Sequence, residues 1–278
     1  MKEFTICLTH DVDRVRKTYQ YLTHKSRKKK YSKKKFSSGI KNNPYWCFDK
    51  IMEIEEIYAV RSTFFFLHET IPFNPIKPSN WPLSVGRYSL MGNEVKSIIK
   101  ELDKNGWEIG LHGSYLSYKN IQLLKEEKAL LEDIIESEVI GIRQHYLNLE
   151  IPLTWELQSE VGFKYDSSYA IKNDIGFPNK KYLPFTDDIS RMYVIPIALM
   201  DSFLFKKSGN DIDIAWNLVS KIMFEAQANN AIFTVIWHQR TFNKEEFPGY
   251  IYIYKRIIEE GKRLNAKFLT CREIYERD

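Results

Sequence analysis

Residues 4–13 read FTICLTHDVD: an apolar run, Phe4–Leu8, that passes without a break into Thr9, His10, Asp11, Val12 and Asp13. A run that is apolar at successive positions suits a strand buried on both faces of a parallel sheet. Six more runs have this character: Ser62–Leu67 (STFFFL), Trp107–Leu111 (WEIGL), Val139–Ile142 (VIGI), Tyr193–Ile197 (YVIPI), Ala231–Trp237 (AIFTVIW) and Lys267–Leu269 (KFL). Helical spacing fills the intervals. Phe48–Tyr58 is one such segment. Asn93 can cap a helix running to about Lys104 and ended by Gly106, and others span Asn120–Glu136, Asp211–Ala228 and Tyr250–Arg263. Thr270 with Glu273 forms a capping box for a last helix. Strand–helix alternation of this kind predicts an α/β chain folded as an irregular parallel (β/α) barrel of about seven strands, in a single domain spanning 1–278. Thr70–Leu90, rich in Pro and Asn, reads as a long loop of the length that carries function.

In a parallel barrel, chemistry gathers where strands end. Phe4–Leu8 runs into Asp11 and Asp13. Trp107–Leu111 runs into His112, Gly113 and Ser114. Val139–Ile142 runs into Arg143, Gln144, His145 and Tyr146, and Ala231–Trp237 ends at His238. One histidine after a strand, such as His68, is commonly just a hydrogen-bonded rim residue. Four ionisable clusters on one rim, in this order, point to a site.

These clusters resemble the motifs of the polysaccharide deacetylase superfamily (NodB-homology, carbohydrate esterase family 4) over most of the chain, from Phe4 to about Glu276. LTHDVD is similar to the first motif, RSTFFFL to the second strand, WEIGLHGSY to the Gly-x-His segment, GIRQHY to the Arg-x-Pro-Tyr motif, YDSSY to the Asp-containing motif and VIWHQR to the strand ending in a catalytic histidine. The resemblance implies a metal-dependent hydrolase that removes an N-acetyl or other N-acyl group from an amino sugar, in surface polysaccharide or lipopolysaccharide biosynthesis. It implies Asp11 as general base, Arg143 holding Asp11, His238 as acid towards the leaving amine and Asp166 tuning Arg143 or His238. Tyr146, through its backbone N–H, and Trp237 would face the substrate. Asp13 and His112 would bind a divalent ion, most naturally Zn, with Co or Ni as alternatives. Two positions depart from the family. Leu116 stands where a second histidine ligand belongs, and His145 replaces the usual proline. The expectation is that His145 supplies the missing nitrogen, since a catalytic site of this kind needs three protein ligands. The same barrel also admits hydrolysis of another small C–N substrate, as in allantoinase-like relatives, or an inactive sugar-binding protein.

Composition narrows the partners. The chain is 44% hydrophobic, enough for a sizeable core. Its formal net charge is +5, but Lys25–Lys35 (KSRKKKYSKKK) holds eight basic residues and no acid, so the remainder carries a net −3. This basic insertion, within about 24–46, suits peripheral contact with an anionic membrane or glycan, and nothing else reads as a nucleic-acid module. Cys7, Cys47 and Cys271 are odd in number and far apart, which argues against a disulfide framework and for a reducing compartment. The start, MKEFTICLTHDVD, has no apolar run long enough for a signal peptide, so the expectation is a soluble, cytoplasmic protein.

Overall fold

The computed structural model describes residues 4–20, 40–77 and 80–277. The basic run Lys25–Lys35 lies outside the described residues. Five strands lie side by side in parallel: β1 (Thr5–Val12), β2 (Thr63–Leu67), β3 (Glu108–Gly113), β4 (Gly141–Gln144) and β5 (Tyr165–Asp166). On the far side of β1 runs β9 (Ile232–Ile236), also parallel. One extended stretch joins the two flanks of this curled sheet. Its start, β7 (Tyr193–Val194), pairs with β5, and its end, β8 (Leu199–Met200), pairs with β9. Between them the N–H groups of Ile195 and Ile197 donate to the carbonyls of Asp166 and Tyr169 at 2.9 and 2.8 Å. The predicted irregular barrel is therefore present. A short strand beyond the predicted set, β6 (Phe185–Thr186), runs antiparallel to β7, and the predicted KFL strand is reduced to two residues, β10 (Lys267–Phe268), which pair with the start of β1.

Helices cover the outside. They are α1 (Phe48–Ile57), α2 (Trp81–Ser84), α3 (Asn93–Lys104), α4 (Ile121–Ile135), α5 (Leu153–Val161), α6 (Asp201–Lys207), α7 (Ile212–Asn229), α8 (Tyr250–Arg263) and α9 (Cys271–Arg277). The caps of α4 and α7 are local chemistry. Asn120 accepts from the N–H groups of Gln122 and Leu123, and Asp211 from that of Ile214. Thr270 and Glu273 exchange the two bonds of a capping box at 2.8 and 3.2 Å. Asn93 is not a cap: it is already helical, and Gly92 precedes it without a side-chain bond. Helices α5 and α6 and the two-residue strands β5, β6 and β8 carry too little periodicity to be read from sequence. Among the described residues no helix is long and apolar enough to cross a membrane.

Strand β1 extends four residues beyond Leu8, and this places the site. Side chains alternate along a strand. Thr9 and Asp11 therefore point to one side, where both meet Arg143. His10 points to the other side, into the helical layer. There its ring bonds the Trp237 carbonyl at 2.7 Å and Glu55 of α1 at 2.9 Å, beside the Tyr254 hydroxyl of α8. His10 is thus a satisfied structural residue. The cysteines also meet in a way spacing does not suggest: Cys7 of β1 and Cys271 of α9 are free, buried thiols with sulfurs 3.4 Å apart.

Candidate metal centre and active site

Parallel register aligns Leu67 with His112 and His112 with Arg143, so the exits of β2, β3 and β4 share one level. Three groups converge just beyond it. The candidate ligand atoms of Asp13, His112 and His145 lie within 4.8 Å of one another. His112 bonds the Arg143 carbonyl through Nδ1 at 2.9 Å. A carbonyl only accepts, so Nδ1 carries the proton and Nε2 presents a lone pair. That lone pair faces Asp13 Oδ1 at 3.3 Å. Asp13 Oδ1 is buried without a hydrogen-bond partner. His145 Nε2 approaches the same oxygen at 3.8 Å. Burial lowers the His145 pKa to about 4, against the raising effect of Glu69 and Asp13, so this ring is neutral near pH 7. Electron-pair donors turned towards one another around a buried, orphaned carboxylate oxygen fit a cation, and this oxygen and nitrogen set suits a divalent transition ion. Leu116 takes no part: it is exposed at the start of a 3-10 turn, away from the cavity.

Beside this centre stand two polar pairs. Arg143 is fully buried and donates to Asp11 Oδ1 at 2.8 Å, to Thr9 Oγ1 at 2.6 Å and to the carbonyl and hydroxyl of Ser167. Burial alone would raise the Asp11 pKa, but Arg143, then His112 and His238, hold it below the ordinary carboxylate value. His238 bonds Asp201 through Nδ1 at 2.7 Å, while its backbone N–H donates to the other oxygen of Asp201 at 2.9 Å. Its Nε2 lies 3.6 Å from Asp13 Oδ2. Burial lowers the His238 pKa, but Asp201 outweighs burial and the ring is raised. Asp11, Asp13, His112, His145, Tyr146 and His238 line one cavity of about 540 Å³.

Two sequence assignments need correction. Asp166 touches neither Arg143 nor His238. Its carboxylate is saturated by Ser168 N–H and Oγ, Gln158 and Trp155, because α5 packs over β5 at that point. Asp201, the first residue of α6, is the carboxylate on His238. Trp237 is completely buried against Phe205, Tyr250 and Tyr254, so it cannot wall a substrate. Strand alternation explains this: His238 and Trp237 face opposite sides.

Two further groups escaped sequence reading. Arg240 donates to Asp13 Oδ2 at 2.7 Å. Burial raises the Asp13 pKa, but Arg240, then His112, His238 and His145, hold it well below the usual range. Glu69, at the exit of β2, accepts from Tyr115 N–H at 3.0 Å and lies 3.7 Å from His145 Nδ1, where it can orient that ring. The signal for both was faint: each lies two or three residues past an apolar run.

Glu127 of α4 supports the exit of β3 by accepting the Ser114 N–H at 3.1 Å. Burial raises its pKa to about 8. The folded chain therefore binds this proton more tightly than the unfolded chain does. Its contribution is fully present below the ordinary carboxylate value and is lost as pH rises through 8, up to on the order of 4 kcal/mol. Urea unfolding at pH 5 and pH 8 should show Glu127→Gln losing less stability across this window than the wild type. Equal losses would mean that Glu127 is not the group titrating.

No family model matches the chain, and no curated protein matches it in sequence. Solved structures do match. A chain assigned as a polysaccharide deacetylase from Pseudomonas aeruginosa PAO1 superposes with a TM-score of 0.64 at 14% identity, covering 98% of this chain and 90% of its own. One assigned likewise from Mycobacterium smegmatis gives 0.63 at 16% identity, covering 99% and 90%. The chain has the polysaccharide deacetylase fold. The Puue allantoinase shares this fold too, at a TM-score of 0.63 and 14% identity, covering 98% of this chain and 89% of its own.

Proposed function

We propose that the protein is a metal-dependent hydrolase that removes the N-acyl group of an amino sugar, in the assembly of a surface glycan. The observation that carries this reading is the convergence of Asp13, His112 and His145 on a buried, unpartnered carboxylate oxygen, beside Asp11 on one side and His238 on the other. A divalent ion held by the three residues would supply Lewis-acid polarisation of the acyl carbonyl and acidify water at the site. Asp11, fixed by Arg143 through Oδ1, keeps Oδ2 for accepting a proton from the attacking water. Its lowered pKa keeps it ionised, and so competent to accept, throughout the neutral range. His238, whose charged form Asp201 favours, presents Nε2 to protonate the departing amine. The N–H of Tyr146 is available for the developing oxyanion. Tyr146 and Leu147 hold left-handed φ angles of 59° and 53°, a strained turn at the cavity edge of the kind kept where backbone donors must be aimed.

A second reading keeps the site and changes the bond: hydrolysis of a small C–N substrate, favoured by the likeness to the Puue allantoinase. The test is acetate release from N-acetylated sugars by Zn-, Co- or Ni-loaded protein, run beside ring opening of allantoin. Acetate release proportional to bound metal is the expected result. Allantoin hydrolysis without acetate release would select the second reading, and absence of both with bound metal would leave a sugar-binding protein.

A further inference from the structure

Three arginines line the cavity. Arg14, which follows Asp13 out of β1, and Arg87, from the loop after β2, both line it, together with Arg240. Arg240 has Asp13 for a counter-ion. Arg14 and Arg87 have none: among the described residues no carboxylate lies within ion-pair distance of either. Their donors go mostly to backbone carbonyls, and Arg14 also donates to the Tyr19 hydroxyl at 3.4 Å. Arg14 bonds those of Val85 and Pro82 at 2.5 and 2.6 Å, and Arg87 those of Pro82, Leu83 and Asp13 at 3.1, 2.9 and 3.1 Å. Both guanidiniums therefore meet at one oxygen, the Pro82 carbonyl. Only 6% of Arg14 is exposed. Gly86, at φ 71°, lets the loop close on it; a Cβ there would lie 2.1 Å from Thr18 Oγ1.

Two neighbouring like charges, Arg14 buried and Arg87 half-buried, with no carboxylate at ion-pair distance among the described residues, are costly to keep. A guanidinium has five N–H donors, so each retains some after its carbonyl bonds. Paired guanidiniums suit tetrahedral oxyanions, which accept several such bonds at once. We propose that Arg14 and Arg87 form the binding site for a phosphoryl group carried by the acylated sugar. The inference rests on the deacylase reading for the sugar and on the arginine pair for the anion. A soluble sugar phosphate or nucleotide sugar and a lipid-diphosphate sugar share this chemistry. The cavity, at about 540 Å³, is the size that takes a ligand of this class.

Calorimetry with inorganic pyrophosphate on the full chain, in chelator to keep the anion off any metal ion, tests the anion site apart from hydrolysis. Wild type should bind, and Arg14→Gln and Arg87→Gln should each weaken binding by about tenfold or more. Arg14→Lys and Arg87→Lys retain the charge and should recover part of the affinity, which separates loss of the anion site from loss of the loop. No binding at millimolar pyrophosphate, equal affinity in all variants, or tighter binding of glucuronate than of pyrophosphate would overturn the proposal. With metal-loaded wild type, kcat/KM should be at least about tenfold higher for a phosphorylated N-acetylamino sugar than for the free sugar. N-acetylglucosamine 1-phosphate, its uridine diphosphate conjugate and a lipid-diphosphate conjugate in micelles are the three arms that separate the sources. Equal turnover of free and phosphorylated sugars would refute the anion site and leave the deacylase reading standing. Arginine-dependent pyrophosphate binding without any deacylation would do the reverse.

Discussion

Asp11→Asn should lower kcat by about 10²–10⁴-fold, the usual contribution of a positioned base, while KM changes little. Asparagine keeps an oxygen for Arg143 but cannot take a proton from water. The variant should also be less stable. Arg143 is fully buried, and among the described residues Asp11 is its only carboxylate partner within ion-pair distance. Removing that charge strands a buried guanidinium, a change that typically costs about 3–5 kcal/mol, softened here by Thr9 and Ser167. Activity is therefore measured well below the melting temperature of the variant, with circular dichroism as a check on the fold. Bound metal should stay near the wild-type level, because Asp13, His112 and His145 are untouched. Turnover within threefold of wild type at equal metal content would remove Asp11 from the role of base.

His145→Ala should lower metal occupancy and hydrolysis together, leaving the fold intact. The ring stands 3.8 Å from the orphaned oxygen of Asp13 and 5.2 Å, centroid to centroid, from the ring of His112. Without it two protein ligands remain, fewer than catalytic zinc sites keep. Even loss of a ligand's supporting partner typically weakens metal binding by about 10–100-fold, so loss of the ligand should do at least that. Metal analysis of purified wild type and variant, followed by titration with Zn, decides the matter. If both hold equal, near-stoichiometric metal, His145 contacts substrate instead, and the variant should then show a raised KM.

The strands and most helices were legible because their causes are local. Continuous apolar runs such as STFFFL become strands buried on both faces, as β2 is throughout. The Thr270–Glu273 box works within one helical turn, so it reads directly. Asp201 was missed for a long-range reason. The apolar run from Tyr193 is interrupted by Pro196, and its far end pairs with β9 only in the closed barrel. The carboxylate that follows reaches a histidine 37 positions later. Arg240 meets Asp13 across 227 positions. Asp166 looked equally suitable by position and is instead consumed by Trp155, Gln158 and Ser168.

By itself the sequence determined the alternation of buried strands and covering helices, and the placing of Asp11, Asp13, His112, Arg143, His145 and His238 at strand exits. Strand period and apolar continuity are properties of neighbouring residues. The tertiary structure alone decided which charges meet. It put Asp201 on His238, Arg240 on Asp13 and Glu69 beside His145, buried Trp237, and among the described residues gave Arg14 and Arg87 no carboxylate at ion-pair distance. Electrostatic partnership depends on distance and burial across the barrel, and these exist only once register and closure have brought remote strand ends to one level.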